Sequence, residues 1–483
     1  MYVVKEKFMN RQRWTLVAVG LATFMTYLDN NIVNVAIPDI QRELGLSTAG
    51  IEWVVSGYIL TFAGLLLAGG RLADAFGRRR LFLAGLAVFT TASLLAGLAA
   101  GPGTLIAFRA LQGIGAAAVT PTTLAIISAT FTEPRERNAA VGIWGGVGAL
   151  ALAVGPLLGG LLTQHASWEW IFWINVPVGV ATIALGAWAI RESRESEARS
   201  LDLPGLGLST LALFALTWAL IEGHDRGWTS PGILGAFAVT ILAALAFVAV
   251  ERRVRQPMVD VTLFARREFT GGIVALMLWA FGLFGIYFFT SLYLQGVLGF
   301  SPTKAGAAFV PMAVLMAVSA VASERVAARY GAYRSTGFGM LAMGLAIGSV
   351  ALLGADASYW SLMPSFAVIG LGGGMTIPLT ATVLGVMPSS QAGVASAVFN
   401  ASREVAGLLG ITVIGAVLTS RQASAAAAGR TPVEAFLTGY RSGLALAGVL
   451  VVTGGVAAFT ALRRTRRQAH DIDANPEHVA LVA

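Results

Sequence analysis

The sequence predicts an all-α integral membrane protein with fourteen transmembrane helices. Three observations carry this. Of its 483 residues 56% are hydrophobic and only 12% charged, against about 25% charged in an ordinary soluble domain, so a soluble fold would lack polar surface. Apolar runs of about 20 residues, the length that crosses a bilayer, recur along the chain. The basic residues gather in alternate loops between those runs.

In order, the predicted spans are 14–36, 52–71, 81–100, 104–127, 138–162, 171–189, 206–222, 232–250, 270–295, 305–327, 335–354, 359–384, 393–418 and 438–461. The first follows Lys5, Lys7, Arg11 and Arg13 and has no A-x-A-like site behind it. It therefore reads as a permanent span, not a signal peptide. The span at 206–222 is the shortest, and 171–189 carries a mid-helix Pro177. Assigning the span-end residues Arg71, Arg325 and Arg441 to the adjoining loops, 25 of 33 Lys and Arg fall in the N-terminus, the even-to-odd loops and the C-terminus, six in the opposite loops and two (Arg109, Arg403) deep inside spans. Cytoplasmic loops carry the excess of Lys and Arg, so both termini are expected in the cytoplasm. The net charge of +8 is then topological, and nucleic acid is not an expected partner.

Composition also excludes chemistry. There are no cysteines, hence no disulfide, thiolate metal site or Cys nucleophile. None of the four histidines (His165, His224, His470, His478) lies in a span or has metal-ligand spacing, so no metal is expected. A Walker A loop ends in Gly-Lys-Ser/Thr, and Lys5, Lys7 and Lys304 follow Val4, Glu6 and Thr303. ATP-driven pumping by this polypeptide alone is not expected, nor is any cofactor. No nucleophile–base constellation suggests an enzyme.

The chain matches itself at a shift of about 254 residues. Gly45-Leu46-Ser47 recurs as Gly299-Phe300-Ser301, Phe76-Gly77 with Arg80 as Tyr330-Gly331 with Arg334, and Gly113-x-Gly115 with Pro121 as Gly370-x-Gly372 with Pro378. Parallel six-helix repeats are a transporter architecture with the substrate site at mid-depth between the halves. The predicted organisation is an N-terminal segment 1–13, a bundle over 14–190, two inserted helices within 206–250, a second bundle over 270–461 and a tail 462–483. Asp74 aligns with Ala328, Arg109 with Phe366, and Asp29 with Leu283 or Phe284. The costly charges therefore concentrate in the first half, which suggests that one half couples to an ion.

Asp29 is the most informative residue. An ionised carboxylate at mid-membrane costs about 2.5–3.5 kcal/mol on insertion scales, and such residues usually handle ions, protons or charged substrate. Span one runs outward and span four inward, so depths compare at ~1.5 Å per residue. Asp29 and Arg109 both lie roughly 10 Å below the outer surface, and Gln112 shares a helix face with Arg109 at i+3. Burial raises an Asp pKa and a nearby Arg lowers it; a site alternating between those environments binds and releases protons. A static structural pair is the alternative. Arg403 and Glu404 form a second polar cluster. Adjacent helical residues point ~100° apart, so they are not expected simply to neutralise each other, and Asn400 shares a face with Glu404. Glu404 could attract a cationic substrate, carry a second proton, or pair with an arginine of another helix.

Four motifs, in order, resemble those of the fourteen-helix drug:proton antiporter branch of the major facilitator superfamily, over essentially the whole chain. They are Leu28-Asp29-Asn-Asn-Ile-Val-Asn34-Val-Ala-Ile-Pro38 in span one, Gly70-Arg-Leu-Ala-Asp74-Ala-Phe-Gly77-Arg78-Arg79 after span two, Leu105-x3-Arg109-x2-Gln112-Gly113-x-Gly115 in span four, and Gly148-x6-Gly155-Pro156-x2-Gly159-Gly160 in span five. The resemblance implies a major facilitator fold of two six-helix bundles plus two inserted helices. It implies a cytoplasmic latch at Gly70–Arg79, for which Arg78 and Arg79 can pair with acids such as Glu133; alternatively the arginines only fix topology. It links the span-five glycines and Pro156 to export, although small-residue packing explains them too. Where relatives often have Gln, this chain has Glu404.

The expected activity is proton-driven export of lipophilic, cationic or aromatic compounds by a monomer in a bacterial inner membrane, by alternating access. Thirty arginines against three lysines suggest a GC-rich bacterial genome. Asp29, Arg109 and Glu404 are the expected coupling residues. Asn34, Tyr58, Gln112, Trp144, Trp279, Tyr287, Phe366, Phe399 and Asn400 are candidate cavity residues, although packing or lipid contact is the blander role for each aromatic. Export of one natural product or lipid, and nutrient uptake, are the competing activities.

Overall fold

A bilayer core offers no water to backbone N–H and C=O groups, so apolar spans of this length fold as helices. The computed structural model describes residues 2–194, 202–254, 257–385 and 392–463; among these it has seventeen α-helices and no β-strand. They are α1 (Tyr2–Leu44), α2 (Thr48–Phe76), α3 (Arg78–Ala96), α4 (Pro102–Thr130), α5 (Pro134–His165), α6 (Trp170–Trp173), α7 (Asn175–Ala189), α8 (Leu203–Arg226), α9 (Pro231–Glu251), α10 (Arg267–Gly296), α11 (Pro302–Ala308), α12 (Val310–Tyr330), α13 (Ala332–Val350), α14 (Tyr359–Gly374), α15 (Pro378–Gly385), α16 (Ala392–Ala427) and α17 (Pro432–Ala461). Among the described residues, thirteen helical stretches are long and apolar enough to cross a membrane. The eleventh predicted span, 335–354, forms the 19-residue α13 but falls short of that apolarity, because Tyr333, Arg334, Ser335 and Thr336 occupy its first turns. α1 begins at Tyr2, so residues 2–13 are helical and continuous with the first span. The tail beyond residue 463 lies outside the described residues.

Prolines and glycines divide three predicted spans. Span 171–189 breaks into α6 and α7, span 305–327 into α11 and α12, and span 359–384 into α14 and α15. Proline has no N–H to give and clashes with the preceding turn. Pro177 and Pro311 accordingly fall within the first turns of α7 and α12, and Pro378 opens α15 after the Gly372-Gly373-Gly374 run. The short span 206–222 lies within the 24-residue α8.

The internal repeat is also a repeat of turns. Gly45 (φ 63°) and Gly299 (φ 64°) both take the left-handed conformation that only glycine adopts freely. The next helix starts on a serine cap each time, Ser47 accepting from the Gly50 N–H and Ser301 from the Lys304 N–H. Gly77 (φ 107°) and Gly331 (φ 93°) match likewise at the following turn.

The chain packs as two compact units. One comprises Met1–Val259, Tyr287–Val310 and Ile411–Tyr440; the other comprises Asp260–Ile286, Pro311–Gly410 and Arg441–Ala483. The end carrying the arginine-rich loops is here the basic end, and the opposite end the far end. The first unit thus holds the whole first repeat, the inserted helices, α11 and the far-end portions of α10, α16 and α17. Within it α2 and α3 pack on α4, α1 packs on α5, and α8 pairs with α9 while lying against α2. Close approach of α5 to α1 rests on Gly155 and Gly159; a Cβ at Gly159 would fall 2.5 Å from the Ile32 carbonyl oxygen. Gly160 and Pro156 lie against the Pro302–Gly306 segment, with Pro156 facing Gly306. In the second unit α13 packs along α14.

Candidate functional site

The first repeat closes around Asp29. This carboxylate, midway along α1, has no solvent exposure, and neither does Arg109 on α4. An ionised group taken out of water needs a partner and hydrogen bonds for its remaining positions, and Asp29 has both. Arg109 Nη1 donates to Asp29 Oδ2 at 2.5 Å, Gln112 Nε2 to Oδ1 at 2.7 Å and Asn175 Nδ2 to Oδ1 at 3.0 Å. Arg109 Nη1 also donates to Gln112 Oε1 at 2.8 Å, and Arg109 Nε to the Val54 carbonyl at 3.2 Å. Ser93 Oγ accepts from Gln112 and Asn175, both at 3.1 Å, and donates to the Phe172 carbonyl at 2.8 Å.

The guanidinium carbon lies 4.4 Å from the Tyr58 ring centre and 5.7 Å from that of Phe172, within cation–π range. Helices α1, α2, α3, α4, α6 and α7 therefore all contribute a group. The i+3 spacing of Arg109 and Gln112 puts both on one face of α4. The helix break before Pro177 lets Asn175 begin α7 at the same level. Chemically, the three donors replace the water that an ionised carboxylate would otherwise need, and any change in its charge is felt by five other helices.

Asp29, Arg109 and Gln112, picked from the sequence, thus meet. Asn175 and Ser93, which the sequence does not single out, join them. Asn175 stands out in the sequence only as a polar residue two places before a proline in an apolar run, and Ser93 carries no signal. Of the cavity candidates, Tyr58 presents its ring to Arg109 and its hydroxyl to the Thr26 carbonyl (3.4 Å). Asn34 is buried with Oδ1 unpartnered among the described residues. Trp144 is half-buried, donates to Thr123 Oγ1 (3.1 Å) and packs on the core of Ala18, Val19 and Ile127. Tyr287 stacks on Phe309, ring centres 5.0 Å apart.

The basic-end loop differs from expectation in its acid. Arg78 pairs with Asp74, Nη2 to Oδ1 at 2.9 Å. Glu133 is exposed, and the acid that serves Arg79 and Arg80 is Glu192, just beyond α7. Its carboxylate accepts the backbone N–H of Arg79 (3.1 Å) and Arg80 (3.2 Å), which capping chemistry explains: the first N–H groups of a helix have no partner inside it. Gly77 makes the turn into α3, and Gly70 lies half-buried beside Pro121. Gly148 on α5 is buried against Thr23 and Tyr27.

In the second unit Glu404 is buried. Contrary to the sequence reading, Arg403 bonds to its own neighbour, Nε and Nη2 reaching Glu404 Oε1 at 3.0 and 2.6 Å. Adjacent residues diverge, but an arginine's long stem and planar fork span that divergence. Glu404 Oε2 keeps no partner among the described residues. Phe366 and Phe399 are buried, Asn400 is half-buried, and Trp279 lies near Gly373 with its indole N–H unpartnered among the described residues. Among the described residues no group of three or more His, Asp or Glu could hold a metal ion.

A sequence profile of the Major Facilitator Superfamily matches residues 19–411. The chain belongs to the major facilitator superfamily. As a member of that superfamily it is a multi-pass membrane transporter. It is 38% identical over 457 residues to a puromycin resistance protein of Streptomyces alboniger, covering 92% of this chain and 91% of that one. It is 36% identical to a tetracenomycin C resistance and export protein of Streptomyces glaucescens, covering 84% and 76% of the two chains. A bacterial homologue of the lysosomal transporter Spinster, in an inward-facing conformation, shares the superfamily fold with a TM-score of 0.65 at 17% identity, covering 94% of this chain and 97% of that one. A peptide transporter superposes with a TM-score of 0.67 at 15% identity, covering 93% and 94%.

Proposed function

We propose that this transporter is a proton-coupled antiporter that exports lipophilic, cationic or aromatic compounds from a bacterial cell by alternating access. Both termini lie in the cytoplasm on this reading, so the basic end faces inward and the far end outward. It works as a monomer and needs no cofactor beyond the proton motive force. The observation that carries the proposal is the buried Asp29 carboxylate with its ring of donors from Arg109, Gln112 and Asn175. Protonating Asp29 removes the charge that Arg109 pairs with and turns an acceptor into a donor. The helices that meet there then favour a different packing. The relatives' names, which speak of resistance and export, support the direction, as does the Gly155-Pro156-x2-Gly159-Gly160 stretch.

The driving force suffices. One charge crossing ~100 mV releases about 2.3 kcal/mol, more than the roughly 1.4 kcal/mol of a tenfold gradient. Export of a particular natural product, as self-resistance in a producing organism, is the second reading. The puromycin and tetracenomycin relatives favour it.

The test is drug-induced proton release from inverted vesicles across a compound panel. Wild-type protein is expected to respond, and Asp29→Asn to lose the response for every transported compound. A full response in Asp29→Asn overturns the coupling assignment, and compound movement in the opposite direction overturns export. Glu404→Gln separates the two roles left to Glu404: loss for cations alone marks a substrate contact, and loss for all compounds a second proton site.

A further inference from the structure

A second acid lies at the far end of the first unit, in surroundings unlike those of Asp29. Glu52 sits in the second turn of α2 and is only 3% exposed. Its Oε2 is buried with no hydrogen-bond partner among the described residues. Across from it Gly415 on α16 leaves the carboxylate room, and a Cβ there would collide with it. Glu52 lines a half-open cleft of about 310 Å³, formed by the far ends of α1, α2, α10, α16 and α17. That volume falls within the roughly 300–1,000 Å³ of small-molecule sites. Phe288, Phe289 and Phe436 supply aromatic wall, and Gln41 and Gln422 supply neutral polar groups. No Lys, Arg or His lines it, and Glu52 is the sole ionisable carboxylate among the described lining residues.

A carboxylate walled off from water is costly unless it is neutralised or paired. Among the described residues this one has no protein cation beside it in the cleft, unlike Asp29 and Glu404. Aromatic rings around an acid are the chemistry that recognises organic cations, through the negative ring face and the opposite charge together. An anion would meet the carboxylate unfavourably, and a small hydrated metal ion would find only one acidic ligand where oxygen-rich shells of six or more are usual.

We propose that this cleft is a second binding site, taking lipophilic monovalent organic cations through Glu52 and the phenylalanine walls. It is distinct from the Asp29 network and, given the export reading on which this inference rests, stands on the release side. Cation and proton compete there for one carboxylate, and neither need involve Arg109.

The test is equilibrium binding of tetraphenylphosphonium to purified, detergent-solubilised full-length protein, with no gradient imposed, so that a protein unable to export still reports the site. Glu52→Gln is expected to weaken binding at least about tenfold without affecting a neutral triphenyl analogue, while Asp29→Asn retains the Glu52-dependent component. Val433→Arg, at an exposed cleft position, places a competing cation in the cleft and is expected to have the same effect should Glu52→Gln fold poorly. Wild-type affinity in both Glu52→Gln and Val433→Arg overturns the site and leaves the export reading standing. Equal losses for the cation and the neutral analogue overturn the charge-based recognition.

Discussion

The Arg109 guanidinium is enclosed by Asp29, Gln112, the Val54 carbonyl and two aromatic rings. Truncating one partner of such a pair strands the other charge, at about 3–5 kcal/mol. Arg109→Ala should therefore lower the melting temperature in detergent more than the double variant Asp29→Asn/Arg109→Gln, which strands nothing; the reverse order would mean that the pair is not charged as drawn. Asn175→Ala removes one of three donors and should cost about 1 kcal/mol, with a correspondingly small melting shift. The pair itself was legible in the sequence because charges inside apolar runs are conspicuous and helix rise converts position into depth. Its neutral donors were not, since an Asn or Ser in an apolar run looks the same whether it bonds a carboxylate or a backbone carbonyl. Glu52 is not legible in the sequence for another reason: near a helix start, a carboxylate reads as a solvated loop residue until the packing of α16 is known.

Helix contacts in α5 obey a sharper rule than composition suggests. Gly159 faces the Ile32 carbonyl, whereas a Cβ added at Gly142 on the same helix would meet nothing within 4 Å. Gly159→Val should overpack the α1–α5 seam by about 1–3 kcal/mol and reduce the folded monomer peak in size-exclusion chromatography. Gly142→Ala should be neutral or stabilise by up to about 1 kcal/mol; equal behaviour of the two would show that the seam is not tight. At the start of α3, Glu192→Ala frees the Arg79 and Arg80 N–H groups, and a loss of about 0.5–2 kcal/mol is expected, readable as a lower melting temperature. The glycine pattern in the sequence marked α5 as a packing helix. Which glycines touch a neighbour depends on helix rotation, and the acid serving α3 lies more than a hundred residues away in sequence, so neither was legible.

For the molecule as a whole, the absence of cysteine makes topology directly measurable. Single cysteines at Arg194 and Arg430, in loops at opposite ends, should differ in intact cells: Arg430→Cys labelled by an impermeant maleimide, Arg194→Cys protected until the membrane is broken. Labelling of Arg194→Cys in intact cells would invert the orientation argued from the 25-to-6 division of basic residues. The helical layout and the repeat of turns were readable because bilayer thickness and loop charge act on the sequence directly; the breaks at Pro177, Pro311 and Pro378 shift helix boundaries without removing a predicted span. The Asp29 network also has a consequence for synthesis. Asp29 leaves the ribosome 80 residues ahead of Arg109 and 146 ahead of Asn175. At about 5–20 residues per second, the interval to Asn175 is roughly 7–30 s. During it the nascent first helix carries an acid whose neighbours do not yet exist, and quality control of the growing chain has its longest opportunity there.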